Sequence, residues 1–182
     1  HSALELLGVA HSAWNQCTLY TMRRRRPLAM NGTVIRFFDD PEPLRTKRSR
    51  HLGTRRVERR GKLFATTGPE RTLVEGFRRP ALSGGLEELV RSASAFPTLD
   101  LDLLDAILRR FAVGNLWAAT GWFLERFRQN FAVPDRVLAR VERQRPRSPQ
   151  YLERGHRGGA LASRWNLIVP EVLMRPGEAD EP

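Results

Sequence analysis

The chain has 182 residues, enough for one domain with a real hydrophobic core and at most a small appendage. No apolar run approaches the roughly 18 residues that cross a bilayer, and no signal-peptide pattern opens the chain. A soluble, cytoplasmic protein with no membrane partner is expected. The formal net charge is +11. Residues 1–80 hold 17 Lys/Arg against 7 Asp/Glu, and residues 81–182 hold 14 against 13, so nearly all of the excess lies in the first half. A one-sided positive field of this kind attracts polyanions, nucleic-acid phosphate above all.

In chain order, a short apolar run (Ala3, Leu4, Leu7) predicts a helix over 2–9 that ends near Gly8. Residues 17–22 and 33–38 are β-branched and aromatic, and are expected to pair as a hairpin with a long loop through the arginine-rich turn and Asn31-Gly32. That turn carries the first basic cluster, Arg23, Arg24, Arg25 and Arg26. Pro41, Pro43 and the basic residues after them read as an exposed loop. The second cluster (Arg45, Lys47, Arg48, Arg50, Arg55, Arg56, Arg59, Arg60, Lys62) runs into a second hairpin, 55–60 with 62–67, about Gly61. Cys17 is the only cysteine, so no internal disulfide is possible; it reads as a buried structural thiol in a reducing cytoplasm. His1, His11, His51 and His156 are scattered without ligand spacing. No metal or cofactor is expected.

The stretch GPERTLVEGFRRPALSGGLEELV, 68–90, describes two packed helices. Gly68-Pro69-Glu70 reads as cap, first and second helical positions, with Glu70 at the positive end of the helix dipole. Leu73, Val74 and Phe77 make the buried face, and Pro80 stops the helix after Arg78 and Arg79. A second helix follows Gly84-Gly85 with Leu86, Leu89, Val90, Ala93 and Phe96 on one side. Asp100 is a cap candidate for a third, carrying Leu104, Ile107, Leu108 and Phe111. The fourth is strongly aromatic, with Leu116, Phe123, Phe127 and Phe131 widened by Trp117 and Trp122; Gly121 lets a neighbouring backbone approach. Pro134 opens a fifth. From Pro146 a loop leads to a strand over 164–169, and the acidic tail after Met174 is expected to be disordered.

Strands first, helices next and one strand last predict an α+β fold, with both hairpins and the C-terminal strand in one mixed sheet and a bundle of about five helices packed on one side. The expected layout is a single domain over 1–175, made of a basic β-rich part (1–68), a helical part (69–145) and a loop with closing strand (146–175), followed by the tail 176–182. Catalysis is not expected. Asp39, Asp40, Glu42 and Lys47 lack the acid-x-Lys pair of a metal-dependent nuclease, and neither a phosphate-binding glycine loop nor a Gly-x-Ser-x-Gly elbow is present.

The chain resembles the AbiEi-type antitoxin family of bacterial toxin-antitoxin and phage-defence systems. The likeness runs through HSALELLGV, LYTMRRRRPLAMNGTVIRFF with its arginine-rich turn, PERTLVEGFRRPALSGGLEEL as the central signature, AVGNLWAATGWFLERF, and the closing SRWNLIVP. Full-length members begin with a winged helix-turn-helix that binds the operon's promoter, and this chain resembles the C-terminal antitoxin domain. Gly68 and Glu75 depart from the signature, where an acidic or serine cap and a shorter acid are common. The resemblance implies an effector domain of a transcriptional regulator opposing a cognate nucleotidyltransferase toxin. It implies a functional surface at Glu70, Arg71, Thr72, Glu75 and Arg79. Nucleic acid, promoter DNA in the full-length protein or tRNA, or the toxin itself would meet Arg23, Arg24, Arg25, Arg26, Arg48, Arg55, Arg56 and Arg59. A nucleic-acid-binding regulatory module with no antitoxin role is the alternative. The oligomeric state is left open.

Overall fold

A computed structural model describes residues 1–21, 25–153, 155 and 158–174. Arg23 and Arg24, and the tail 176–182, lie outside the described residues. The fold is α+β, and the chain divides into two compact units, His1–Phe111 and Ala112–Pro182.

The first unit opens with helix α1 (Ser2–Leu7), closed by Gly8 in the left-handed conformation. Strands β1 (Gln16–Thr21), β2 (Leu28–Met30) and β3 (Thr33–Asp39) form a sheet in the order β1-β3-β2. This corrects the expected pairing of 17–22 with 33–38 as a hairpin: β1 runs parallel to β3, from Gln16 opposite Val34 to Thr21 opposite Asp39. The reason is local. Asn31 and Gly32 both adopt positive φ and close a tight two-residue turn between Met30 and Thr33, so the short β2 takes the antiparallel edge of β3. Only the other edge is left for β1.

Strands β4 (Thr54–Arg59) and β5 (Lys62–Thr67) form the second hairpin as expected, turning at Arg60-Gly61, again with positive φ at both. Helix α2 (Pro69–Arg78) then starts from Gly68 with Pro69 at its first position. Leu73 and Val74 are completely buried in it. A β-carbon at Gly76 would collide with Leu89 Cδ1 of helix α3 (Leu86–Ser94), so the glycine sets how closely these helices approach. Helix α4 (Leu101–Phe111) is capped as predicted, Asp100 Oδ1 accepting the amides of Asp102 at 3.1 Å and Leu103 at 2.9 Å.

The second unit holds α5 (Gly114–Arg126) and α6 (Asp135–Glu142), so the five helices expected over 69–145 are all present, three in one unit and two in the other. Strands β6 (Gln150–Tyr151), β7 (Ala160–Ala162) and β8 (Leu167–Val169) make its own sheet, in the order β6-β8-β7, and helix α7 (Glu171–Met174) follows. The closing strand does not join the N-terminal sheet: β8 is central, with β6 and β7 occupying both of its edges. It is also shorter than expected. Residues Ser163–Trp165 form a 3-10 turn and Asn166 adopts positive φ, which drives the Trp165 indole onto Gly121 of α5, where any β-carbon would collide with it. Gly121 therefore admits a side chain, not a backbone. Trp165 Nε1 donates to Glu125 Oε2 at 2.6 Å and is fully buried.

Candidate nucleic-acid interface

The signature residues expected at a surface are largely interior. Glu70, Arg71 and Thr72 are 6%, 1% and 6% exposed, because the first turn of α2 is where three other segments converge on it. Glu70 Oε1 accepts the Asp100 amide at 2.8 Å, which fixes the start of α4. Arg71 Nη1 donates to the carbonyls of Arg50 at 2.7 Å and Leu52 at 3.1 Å, and its Nε meets Glu75 Oε1 at 2.6 Å. Tyr20 of β1 donates its hydroxyl to Glu75 Oε2, and the Arg71 guanidinium lies 5.9 Å from the Tyr20 ring centre. Tyr20 is 37% exposed as a whole, but its hydroxyl end lies against α2, and partial loss of water there, with the Glu75 carboxylate beside it, pushes that hydroxyl above its ordinary pKa. The Thr72 and Thr67 hydroxyls meet at 2.7 Å, joining α2 to the end of β5. These contacts form a clamp that ties β1, the 50–52 loop, β5 and α4 to one helix. Glu75 is half-buried within it, and of the five only Arg79 is exposed.

The basic residues divide differently. Arg25, Arg26 and Arg48 are exposed on connections between elements. Arg55, Arg56 and Arg59 stand on the β4–β5 ribbon, whose strands register Arg55 opposite Thr66, Val57 opposite Phe64 and Arg59 opposite Lys62. Alternation puts Arg55, Val57 and Arg59 with Lys62, Phe64 and Thr66 on one face, and Arg56 and Glu58 with Leu63 and Ala65 on the other. Arg60 sits at the tip. Five cations are thus carried on one short hairpin whose only acid is Glu58. Arg59 Nη2 donates to the Leu6 carbonyl at 2.9 Å. Among the described residues, the side chains of Arg55, Arg56, Arg60 and Lys62 have no hydrogen bond or ion pair.

Arg60 and Lys62, counted in the second basic cluster but not among the candidate binding residues, belong to the ribbon as fully as the arginines singled out. One feature was missed in the sequence: Leu63 and Phe64 are 66% and 42% exposed on the same ribbon. The available signal was the run KLF directly after Arg-Gly: large apolar side chains on a two-stranded ribbon have little to pack against. A two-stranded ribbon is narrow enough to enter a duplex major groove about 12 Å wide. Guanidinium groups there can take phosphate oxygens by charge-assisted bonds.

Among the described residues no three His, Cys, Asp or Glu side chains are grouped to hold a metal ion, and no helix is long and apolar enough to cross a membrane. No protein family, curated protein or solved structure matches the chain.

Proposed function

We propose that this chain is a nucleic-acid-binding regulatory domain that holds phosphates on the β4–β5 ribbon, and that it serves as the effector domain of an AbiEi-type antitoxin opposing a nucleotidyltransferase toxin. The observation that carries the nucleic-acid reading is the ribbon itself: four of its five cations are exposed with no internal partner among the described residues. Cations without internal carboxylates keep their full charge for an outside anion. The antitoxin role rests on the resemblance in the sequence; the burial of Glu70, Arg71 and Thr72 supports a folding role for that signature and favours the ribbon as the contact surface.

Binding to a duplex should be weakly sequence-dependent and should weaken with salt, with a log-log slope of about −0.9 for each phosphate neutralised. Replacing Arg56, Arg60 and Lys62 together by Ala should flatten that slope by about 2 to 3 units while the melting temperature stays at the parent value. An unchanged slope refutes the ribbon assignment. Co-expression with the toxin separates the two roles: the parent should restore growth and the triple variant should not. A parent that binds duplex and gives no rescue is a plain nucleic-acid module.

A further inference from the structure

Beyond the ribbon, β1 and β3 end side by side, Thr21 opposite Asp39, because they are parallel. An open cleft of about 340 Å³ lies past these ends, lined by Phe37, Phe38, Asp39, Glu42, Arg78 and Arg79 among others. Crevices beyond the carboxyl ends of parallel strands are recurrent ligand sites.

The charges of the cleft are unequally committed. Asp40 is paired with Arg50 at 2.9 Å, and Asp39 faces Arg45 at 3.7 Å. Arg78 and Arg79 have no carboxylate and no hydrogen-bond acceptor for their guanidinium groups among the described residues. Each lies against a ring instead, Arg78 at 5.9 Å from Phe111 and Arg79 at 6.0 Å from Phe38. Stacking on a ring holds a guanidinium in place and leaves its N–H fork free in the plane. Glu42 is exposed and likewise without an ion-pair partner among the described residues.

We propose that this cleft binds one nucleotide unit, its phosphate on Arg78 and Arg79, its ribose hydroxyls on Glu42 and Asp39, and its base against Phe38, whose ring lies on the same side of β3 as Arg79. A bare anion would be repelled by the carboxylates, and a nucleoside alone would leave the two guanidinium groups unused. Only a ligand with an anionic end and a hydroxylated, flat remainder satisfies every side of the cleft. The volume suits it, at the lower end of the roughly 300 to 1,000 Å³ typical of small-molecule sites.

The probe is 5′-AMP, titrated into the protein by calorimetry, with adenosine and inorganic phosphate as separate arms. AMP should bind, and both adenosine and phosphate should bind about tenfold more weakly or worse, each lacking half of the contacts. R79A, an exposed position, should melt like the parent and lose AMP affinity about tenfold, with R79K recovering part of it. Phosphate binding as tightly as AMP, AMP affinity unchanged in R79A, or no AMP binding at millimolar concentration each overturns the proposal. The ribbon triple variant should retain AMP binding, so this result and the duplex result fail independently.

Discussion

Arg71 and the ribbon arginines lie within sixteen positions of one another in the sequence, carry the same charge, and do opposite work. Arg71 is removed from water with its guanidinium shared among two carbonyls and Glu75. Arg56 and Arg60 stand in solvent with no partner among the described residues. A buried arginine satisfied on several sides holds segments together, because removing it strands its acceptors. An arginine on an exposed two-stranded ribbon has almost no packing role, and its charge is available to another molecule.

The largest expected effect comes from breaking the clamp. Arg71→Ala leaves Glu75 partly buried without its cation and two carbonyls without a donor, and should lower stability by about 3 to 5 kcal/mol. Arg56→Ala should change it by no more than about 0.5 kcal/mol. Urea denaturation midpoints of the two variants check the contrast; equal losses would mean that both arginines are structural.

The same comparison can be made with glycines. Gly76→Ala forces a β-carbon into Leu89 at the helix pair carrying the clamp, and should cost about 1 to 3 kcal/mol. At the ribbon tip, Gly61 has nothing within 4 Å, but its φ is +72°. Gly61→Ala therefore pays only for the left-handed backbone, about 1 to 2 kcal/mol. A crystal structure of each variant should show a shifted α3 in the first and an unmoved core in the second.

A smaller effect sharpens the interior side of the comparison by pH. Glu88 of α3 accepts from Ser92 Oγ at 2.7 Å, Ser12 Oγ at 2.8 Å, and the amides of His11 at 3.0 Å and Ser12 at 3.2 Å. Burial opposes its ionisation, yet these donors outweigh burial and hold its pKa below the ordinary 4.5. A lowered folded-state pKa means that the unfolded chain takes up the proton first as pH falls. The stabilisation is whole above pH 4.5 and drains away below it, down through the lowered value. Glu88→Gln should remove this part of the acid sensitivity, seen as a flatter loss of melting temperature below pH 4.5.

Several elements were legible in the sequence because their causes are local. Gly8 ending α1, Arg60-Gly61 turning the second hairpin, Pro69 starting α2 and Asp100 capping α4 each depend on backbone preferences within a few residues. The helical apolar faces were equally readable, since a 3.6-residue period needs no knowledge of the partner. The sheets were not. Whether β1 meets β3 parallel or antiparallel depended on β2, three residues long, claiming the other edge, and β8 was enclosed by β6 and β7, each too short to register as a strand pattern.

For the candidate site the split follows the same physics. The sequence by itself determined where positive charge accumulates, since composition is additive along the chain. It could not tell which arginines are solvated. Arg71 and Arg56 look alike in one dimension. Only the tertiary structure brought the carbonyls of Arg50 and Leu52 and the carboxylate of Glu75 around the first, and left the second on an exposed strand. Desolvation and hydrogen bonding depend on what surrounds a group in three dimensions, and for Arg71 those surroundings come partly from residues about twenty positions away.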